Sequence, residues 1–302
     1  MAVTGRLVVC PTPIGNLEDV TLRVLSALRD ADVIACEDTR RTRVLLDRYG
    51  AGGELVTYHE HNEDRRAGEL VERMRAGATV ALVSDAGMPL VSDPGYVLVR
   101  ACVAAGVAVE VLPGPSAALA ALVASALPAD RWRFAGFLPR KRGELRDALA
   151  EPGGTLVAFE SPHRLAATLA TLADIDPERP AAVCRELTKV HEEVARGTAR
   201  DLAERFGQRA PKGEVVLVVG GSRRGTGRKD LRPSVADSPP ALGRGEDPLR
   251  PSSTDPLSLH TLHALTQAGL DTTAGAIEAE DPRGLSDQLV GLRARCRLKQ
   301  SG

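Results

Sequence analysis

The chain has 302 residues, of which 43% are hydrophobic and only 3% aromatic, and its formal net charge is -1. This length suffices for two domains of ordinary size, and the core has to be built mainly from aliphatic side chains. The near-neutral charge excludes a uniformly basic coat for nucleic acid, so any site for a polyanion must be a local patch.

Strands and helices alternate along the first part of the chain. Short apolar runs predict strands at 6–10, 33–36, 55–58, 80–83 and 107–112. The segments between them predict helices at 17–30, 42–49, 65–76 and 96–105. Alternation of this kind predicts a mainly parallel sheet that is covered by helices on both faces.

A break follows at the Pro-Gly-Pro-Ser segment of residues 113–116, and we place a domain boundary near Pro115. Beyond this boundary the pattern predicts a helix of small residues at 117–126 and a second helix at 165–173. Strands are predicted at 155–159, 181–184 and 215–219, with turns at 196–198 and 212–214. We expect a second α/β domain with a mixed sheet.

The predicted domains are residues 1–115 and residues 116–221, followed by a tail of residues 222–302. The tail contains no Phe, Tyr or Trp, and its first part is dense in Pro, Ser, Gly and Arg. Such a composition cannot bury enough apolar area to offset the entropy lost on ordering. We expect the tail to be disordered or atypical.

The five cysteines form no Cys-x-x-Cys pair, and their odd number does not suit a disulfide framework. No signal-peptide pattern is present, and no apolar stretch approaches the roughly 20 residues that span a bilayer. We therefore expect a cytoplasmic protein that uses neither a metal nor a membrane.

Three loops follow strand carboxyl ends, at 11–16, 84–95 and 113–116. Parallel topology brings such loops to one edge of the sheet, where ligands bind in open α/β folds. The longest of them carries the carboxylates of Asp85 and Asp93, which suit a cationic ligand better than a phosphate. Neither a dinucleotide-type glycine motif nor a Walker-type motif occurs, so NAD and ATP are poor candidates.

Two basic clusters flank these loops. Arg40, Arg41 and Arg43 fall in the first turn of a predicted helix, where cations are unfavourable for the helix dipole. Residues 140–142 add three consecutive cations. Phosphate contacts would explain both clusters and would favour an RNA or DNA substrate, whereas solvated charged surface is the alternative for each.

Several motifs, in this order, resemble the ribosomal RNA small-subunit methyltransferase I family of the tetrapyrrole methylase superfamily. They are PTPIGNLED (11–19), CEDTRRTR (36–43), YHEHN (58–62), DAGMPLVSDPG (85–95), LPGPSA (112–117), GFLPRK (136–141), ESPHR (160–164) and RELTK (185–189). The resemblance covers residues 6–219, and the tail does not match the compact basic end of the family.

This resemblance implies a two-domain α/β fold, with a mainly parallel sheet first, a mixed sheet second and the cofactor S-adenosylmethionine (SAM) in the cleft between them. It implies methyl transfer to the ribose 2′-hydroxyl of a cytidine in the decoding region of 16S rRNA, and a homodimer. It also implies a cofactor site formed by Ser84, Asp85, Ala86, Gly87, Pro89, Leu90, Pro113, Ser116, Glu160, Ser161, Glu186 and Leu187. The substrate RNA would meet Pro13, Asn16, Arg40, Arg41, Arg43, Arg140, Lys141 and Arg142.

A ribose hydroxyl is a weak nucleophile, so a general base is expected. The candidates are Glu37, Asp38, Glu60 and His61, and the sequence does not choose among them. Two alternatives stay open: a small-molecule, tetrapyrrole-type SAM methylase, which the Arg-rich motifs disfavour, and a non-catalytic RNA-binding assembly factor, which the intact 85–95 motif disfavours. Both free 16S rRNA and the assembled small ribosomal subunit fit as substrates.

Overall fold

The first half of the chain builds a parallel five-stranded sheet, seen in a computed structural model that describes residues 5–208 and 211–221. Its strands are β1 (Arg6–Cys10), β2 (Val33–Cys36), β3 (Glu54–Thr57), β4 (Thr79–Val83) and β5 (Ala108–Val111). They lie in the order β3-β2-β4-β1-β5, and every neighbouring pair is parallel. The connecting helices are α1 (Leu22–Asp30), α2 (Thr39–Tyr49), α3 (Glu63–Arg75) and α4 (Tyr96–Ala104).

The central strands of this sheet are buried on both faces. In β1, Leu7 and Val9 pack in one cluster with α3 and α4, whereas Val8 and Cys10 pack in another with α1 and α2. Successive side chains of a strand point to opposite faces, so a strand covered on both sides needs a continuous apolar run. Such runs made β1, β2 and β4 predictable.

The second sheet is mixed. Its strands are β6 (Trp132–Phe137), β7 (Thr155–Glu160), β8 (Pro180–Arg185), β9 (Glu193–Thr198) and β10 (Val215–Val219), in the order β6-β7-β10-β8-β9. The β6–β7 pair is parallel and the other pairs are antiparallel. The helices of this part are α5 (Ala117–Ser125), α6 (Arg142–Ala150), α7 (Leu165–Ile175) and α8 (Ala199–Gly207). Together the two sheets confirm the predicted fold class.

Helices cover both faces of the second sheet. One face packs against α6, α7 and α8 in a cluster that includes Leu149, Leu169 and Leu202. The other face packs against α5, and Ile14 from the loop after β1 joins that cluster. The loop after β1 therefore reaches the second sheet directly.

Two predicted helix boundaries are wrong for reasons of capping. Helix α1 begins at Leu22, not at residue 17, because the Thr21 hydroxyl accepts the Val24 N–H at 3.2 Å. A separate 3-10 turn, Leu17–Asp19, precedes it. Helix α2 is capped by Asp38, which accepts the Arg40 N–H at 2.9 Å, rather than by Thr39.

The sequence does not predict β6, α6, β9 and α8, and the turn predicted at 196–198 is wrong because these residues belong to β9. Strand β9 lies at the sheet edge and buries only Ala195. It therefore has no apolar run from which it could be predicted.

A buried arginine connects three elements of the second half. Arg179 is only 2% exposed, and its guanidinium donates to the Leu149 carbonyl at 2.6 Å and to the Gly220 carbonyl at 2.7 Å. Burial lowers the pKa of this group from its ordinary value. Arg179 thus joins the end of α6 and the residue after β10 to the start of β8.

The chain passes from the first sheet to the second through α5, and the boundary near Pro115 stays a prediction. The predicted tail, 222–302, lies outside the described residues. Among the helices that the structure describes, none is long and apolar enough to cross a membrane.

Candidate functional site

The loops after β1 and β4 are joined by hydrogen bonds at the carboxyl edge of the first sheet. Thr12 and Gly87 exchange backbone hydrogen bonds of 2.8 and 2.9 Å. The Thr12 hydroxyl donates to the Ser84 carbonyl at 2.9 Å, and the Ser84 hydroxyl donates to the Gly87 carbonyl at 3.1 Å. The third loop is packed against the first, since a Cβ at Gly114 would lie 2.7 Å from Pro11 Cβ. The predicted meeting of these loops is confirmed.

A cavity of about 370 Å³ opens between these loops and the second sheet. Both halves of the chain line it, from Ile14 in the first to Val216 in the second. The predicted cofactor residues that line it are Ala86, Gly87, Ser116, Glu160, Ser161, Glu186 and Leu187.

The remaining predicted cofactor residues do not line the cavity. Ser84 and Pro89 are buried in the loop, Leu90 packs beside Gly95, and Pro113 is exposed outside the cavity. Asp85 is engaged elsewhere: one carboxylate oxygen accepts the Asp38 N–H at 3.1 Å, and the other lies 3.2 Å from the Arg41 guanidinium. These residues shape the loop, and their role at the cofactor stays a prediction.

Strained backbone surrounds the cavity. Ser92 and Glu186, which line it, have φ angles of 67° and 50°, and Leu90 and Thr188 beside them have 72° and 67°. A residue with a side chain pays roughly 1–2 kcal/mol in this left-handed region. Such strain collects at ligand sites, where the surrounding structure holds it in place.

Glu160 is a buried carboxylate in the cavity wall. Its side chain is fully buried, accepts the Ser161 N–H at 2.7 Å and the Thr168 hydroxyl at 2.5 Å, and lies 3.4 Å from the Arg164 guanidinium. A buried charge is tolerated only when it is paired and hydrogen-bonded. These partners therefore hold the carboxyl group of Glu160 in one place in the wall.

Glu186 forms a second fixed carboxylate. Its oxygen accepts the Lys189 ammonium at 2.9 Å and the Glu214 N–H at 3.0 Å, and these bonds hold its pKa below the usual range. A Cβ at Gly213, where φ is 92°, would collide with the Glu186 carboxyl group. Only glycine fits at that position while Glu186 keeps this place.

Asp93 lines the cavity, but it was not among the general bases predicted from the sequence. Burial, with the charges of Glu37 and Asp85 as smaller causes, raises the pKa of Asp93 to about 6, although Ser84 opposes the shift. The omission has a physical reason: the shift depends on burial and on neighbours distant in sequence.

The predicted bases occupy the neighbouring ends of β2 and β3. Partial desolvation, followed by the charges of Asp85 and Glu60, raises the pKa of Glu37. The side chain of Arg40, hydrogen-bonded to Asp38, lowers the pKa of that carboxyl to about 2. Glu60 and His61 are exposed. In the described part of the chain, no group of three or more His, Cys, Asp or Glu side chains is placed to hold a metal ion.

Most residues predicted to contact RNA are on the surface. Asn16 and the arginines and lysine of both basic clusters are exposed, whereas Pro13 is buried. Some of the cations have acidic partners: Arg40 with Asp38, Arg41 with Asp85, Lys141 with Glu144 and Arg142 with Asp174. Within residues 5–208 and 211–221, Arg43 and Arg140 have no ion-pair partner.

Solved structures of methyltransferases share this fold. A uroporphyrin-III-C-methyltransferase from Thermus thermophilus is 27% identical, with a TM-score of 0.52 over 72% of this chain and 94% of the other. A structure of uroporphyrin-III C-methyltransferase from the same organism in complex with S-adenyl homocysteine, 23% identical, has a TM-score of 0.51 over 72% and 97% of the two chains. The latter likeness shows the fold alone.

Other proteins have a higher sequence identity to this chain than these two solved structures have. The family model of Tetrapyrrole (Corrin/Porphyrin) Methylases matches residues 6–203. A protein of Mesorhizobium japonicum is 52% identical over 69% of this chain and 73% of its own, and one of Thermotoga maritima is 43% identical over 72% and 99%. Both are named ribosomal RNA small subunit methyltransferase I. From the matched family model and these relatives, the chain belongs to the ribosomal RNA small subunit methyltransferase I family.

Proposed function

We propose that this protein transfers a methyl group from SAM to the ribose 2′-hydroxyl of a cytidine in the decoding region of 16S rRNA. The observation that carries the proposal is the cavity at the sheet edge, which has acidic groups in its wall. Each half of the chain that lines this cavity also carries one exposed basic cluster: Arg40, Arg41 and Arg43 in the first half, and residues 140–142 in the second. Family membership supports an rRNA substrate. The position of the nucleotide and the 2′-hydroxyl come from the motif resemblance alone.

The residues of the cavity fit SAM. Apolar side chains of Ile14, Leu187 and Val216 offer a surface for the adenosine part, and the carboxyl groups of Glu160, Glu186 and Asp93 favour a ligand that carries positive charge. When bound, SAM supplies a methyl group activated by a positively charged sulfonium. The chain's own contribution is to align the hydroxyl with that group and to exclude water.

Among the acidic groups, Asp93 is best suited to take the proton from the hydroxyl. It lines the cavity, and a pKa of about 6 leaves it ionised yet basic at neutral pH. Glu37 has a raised pKa but stands outside the cavity lining. Asp38 is a weak base because Arg40 lowers its pKa to about 2. Glu60 and His61 remain exposed alternatives.

We further propose that the protein acts in the cytoplasm, where ribosomal RNA is modified, and that it forms a homodimer, as the motif resemblance implies. Free 16S rRNA and the assembled small subunit remain the two forms of substrate to compare. The tetrapyrrole-type methylase and the non-catalytic assembly factor are the rival functions.

Incubation with methyl-labelled SAM tests the proposal. We expect label in 16S rRNA or in isolated small subunits and none in tetrapyrroles. Alkaline hydrolysis should leave the label in a dinucleotide, because a 2′-O-methyl group blocks cleavage of the next phosphodiester bond. Label in a tetrapyrrole would favour the small-molecule methylase, and RNA binding without labelling would favour the assembly factor.

The second basic cluster provides a separate prediction. Replacing Arg140, Lys141 and Arg142 with alanine should weaken RNA binding, and each lost phosphate contact should reduce the log–log salt slope by about one. Binding of SAM, measured by calorimetry, should stay unchanged. A salt slope equal to that of the wild type would show that these cations are solvated surface.

A further inference from the structure

An aromatic side chain stands at the mouth of the cavity. Phe137 ends β6, lines the cavity and is 64% exposed. The whole chain has only four phenylalanines, and apolar surface of this size is normally buried. Its ring packs edge-to-face with the ring of Phe159, with the two centroids 5.5 Å apart and the planes at 63°.

Hydrogen bonds hold the backbone that follows Phe137 in place. Leu138 is buried, and its N–H donates to the Phe159 carbonyl at 3.2 Å. The Arg164 guanidinium donates to the Leu138 carbonyl at 3.1 Å and to the Pro139 carbonyl at 2.5 Å. Arg164 in turn lies beside the buried Glu160. An exposed ring on so constrained a backbone loses little entropy when a ligand covers it.

Two kinds of polar neighbour complete this surface. One neighbour is Ser92, from the loop after β4. A Cβ at Gly136, where φ is 62°, would lie 3.4 Å from the Ser92 hydroxyl. On the other side, Phe137 is followed within five residues by the three exposed cations of residues 140–142. Proteins bind single-stranded nucleic acid by combining exposed aromatic rings with cations that contact the phosphates.

We propose that Phe137 is the stacking platform for an unstacked base of the substrate RNA. The inference rests on the proposed function, because a nucleotide that has left the base stack can bring its ribose hydroxyl deeper into the cavity than a stacked one can. Stacking on an aromatic ring compensates for that loss, and phosphate contacts hold the strand on either side. The competing occupants are the adenine of SAM and a second copy of this chain.

The test uses the full-length protein and whichever RNA form the wild type methylates. For Phe137→Ala we expect a rise in KM for RNA of about tenfold or more, with the SAM dissociation constant and the oligomeric state unchanged. Phe137→Tyr, which keeps the ring, should restore the wild-type KM. Phe137→Leu, which keeps an apolar side chain without a π face, should not.

Tyr96 provides a matched control, since its ring is 65% exposed but lies outside the cavity lining. Tyr96→Ala should leave the KM for RNA unchanged. An unchanged KM in Phe137→Ala would overturn the platform, and so would a loss confined to SAM affinity or to dimer formation. If the wild type methylates no RNA at all, the proposed function itself fails, which is a separate result.

Discussion

Replacing Asp93 with asparagine is expected to lower kcat for RNA methylation by about 100-fold or more, because a positioned general base contributes roughly that factor. The asparagine side chain has nearly the same shape and can keep the loop in place, but it cannot accept a proton. Affinity for SAM and for RNA should change far less than kcat.

The pH dependence of the methylation rate tests whether Asp93 is the general base. The pKa of Asp93 is raised to about 6, so the wild-type rate should rise with pH through about 6 as the carboxylate forms, and then level off. Asp93→Asn should lose this limb. If Glu37→Gln removes the limb and Asp93→Asn keeps it, Glu37 is the base and the assignment to Asp93 is wrong.

Stability measurements separate lost catalysis from lost folding. The folded state raises the pKa of Asp93 above its ordinary value of 3.8, so the favourable contribution of this group is complete below about pH 4 and is lost as the pH rises through 6. Above that range the wild type holds a poorly solvated carboxylate. Asp93→Asn should therefore melt at a higher temperature than the wild type near pH 8, and a lower melting temperature would contradict the assigned cause.

Replacing Arg179 with methionine is expected to destabilise the fold by about 2–5 kcal/mol. The change removes the donors to the Leu149 and Gly220 carbonyls, and each acceptor left unpaired in the interior costs roughly 1–3 kcal/mol. Burial of the guanidinium opposes this, as its lowered pKa indicates, and reduces the net loss. Urea unfolding followed by circular dichroism measures the difference.

The matched control is Arg200→Met, since the Arg200 guanidinium is exposed and pairs with Glu178 at the surface. That change should cost less than about 1 kcal/mol. Arg179→Lys, which can keep one of the two bonds, should fall between wild type and methionine. A methionine variant as stable as the wild type would mean that the cost of burying the guanidinium equals the value of its hydrogen bonds.

The sequence predicts the first sheet better than the second, and the reason is burial. Strands such as β1 and β4 are covered on both faces and consist of unbroken apolar runs. Strand β6 contains Arg133 and Gly136 and is half-exposed along its length. Its place in the sheet comes from pairing with β7, a contact that no local pattern encodes.

In the site, too, some features could be predicted from the sequence and others could not. Parallel topology was enough to predict that the loops after β1, β4 and β5 meet at one edge, and they do. The partner of each charge was not predictable: Asp85 and Arg41 were assigned to different ligands, whereas their side chains pair with each other. Phe137 was not among the predicted site residues, although it lines the cavity and is 64% exposed.

The position of β10 has a consequence for synthesis of the protein on the ribosome. This strand comes last among the described elements, yet it lies at the centre of its sheet, between β7 and β8. The parallel sheet can form once β5 has emerged from the ribosome. The second sheet lacks its central strand until residues 215–219 follow. A chain released before then would expose two unpaired strand edges, which are templates for aggregation. Because Val215 and Val216 also line the cavity, the growing chain completes this cavity and its second sheet in the same step.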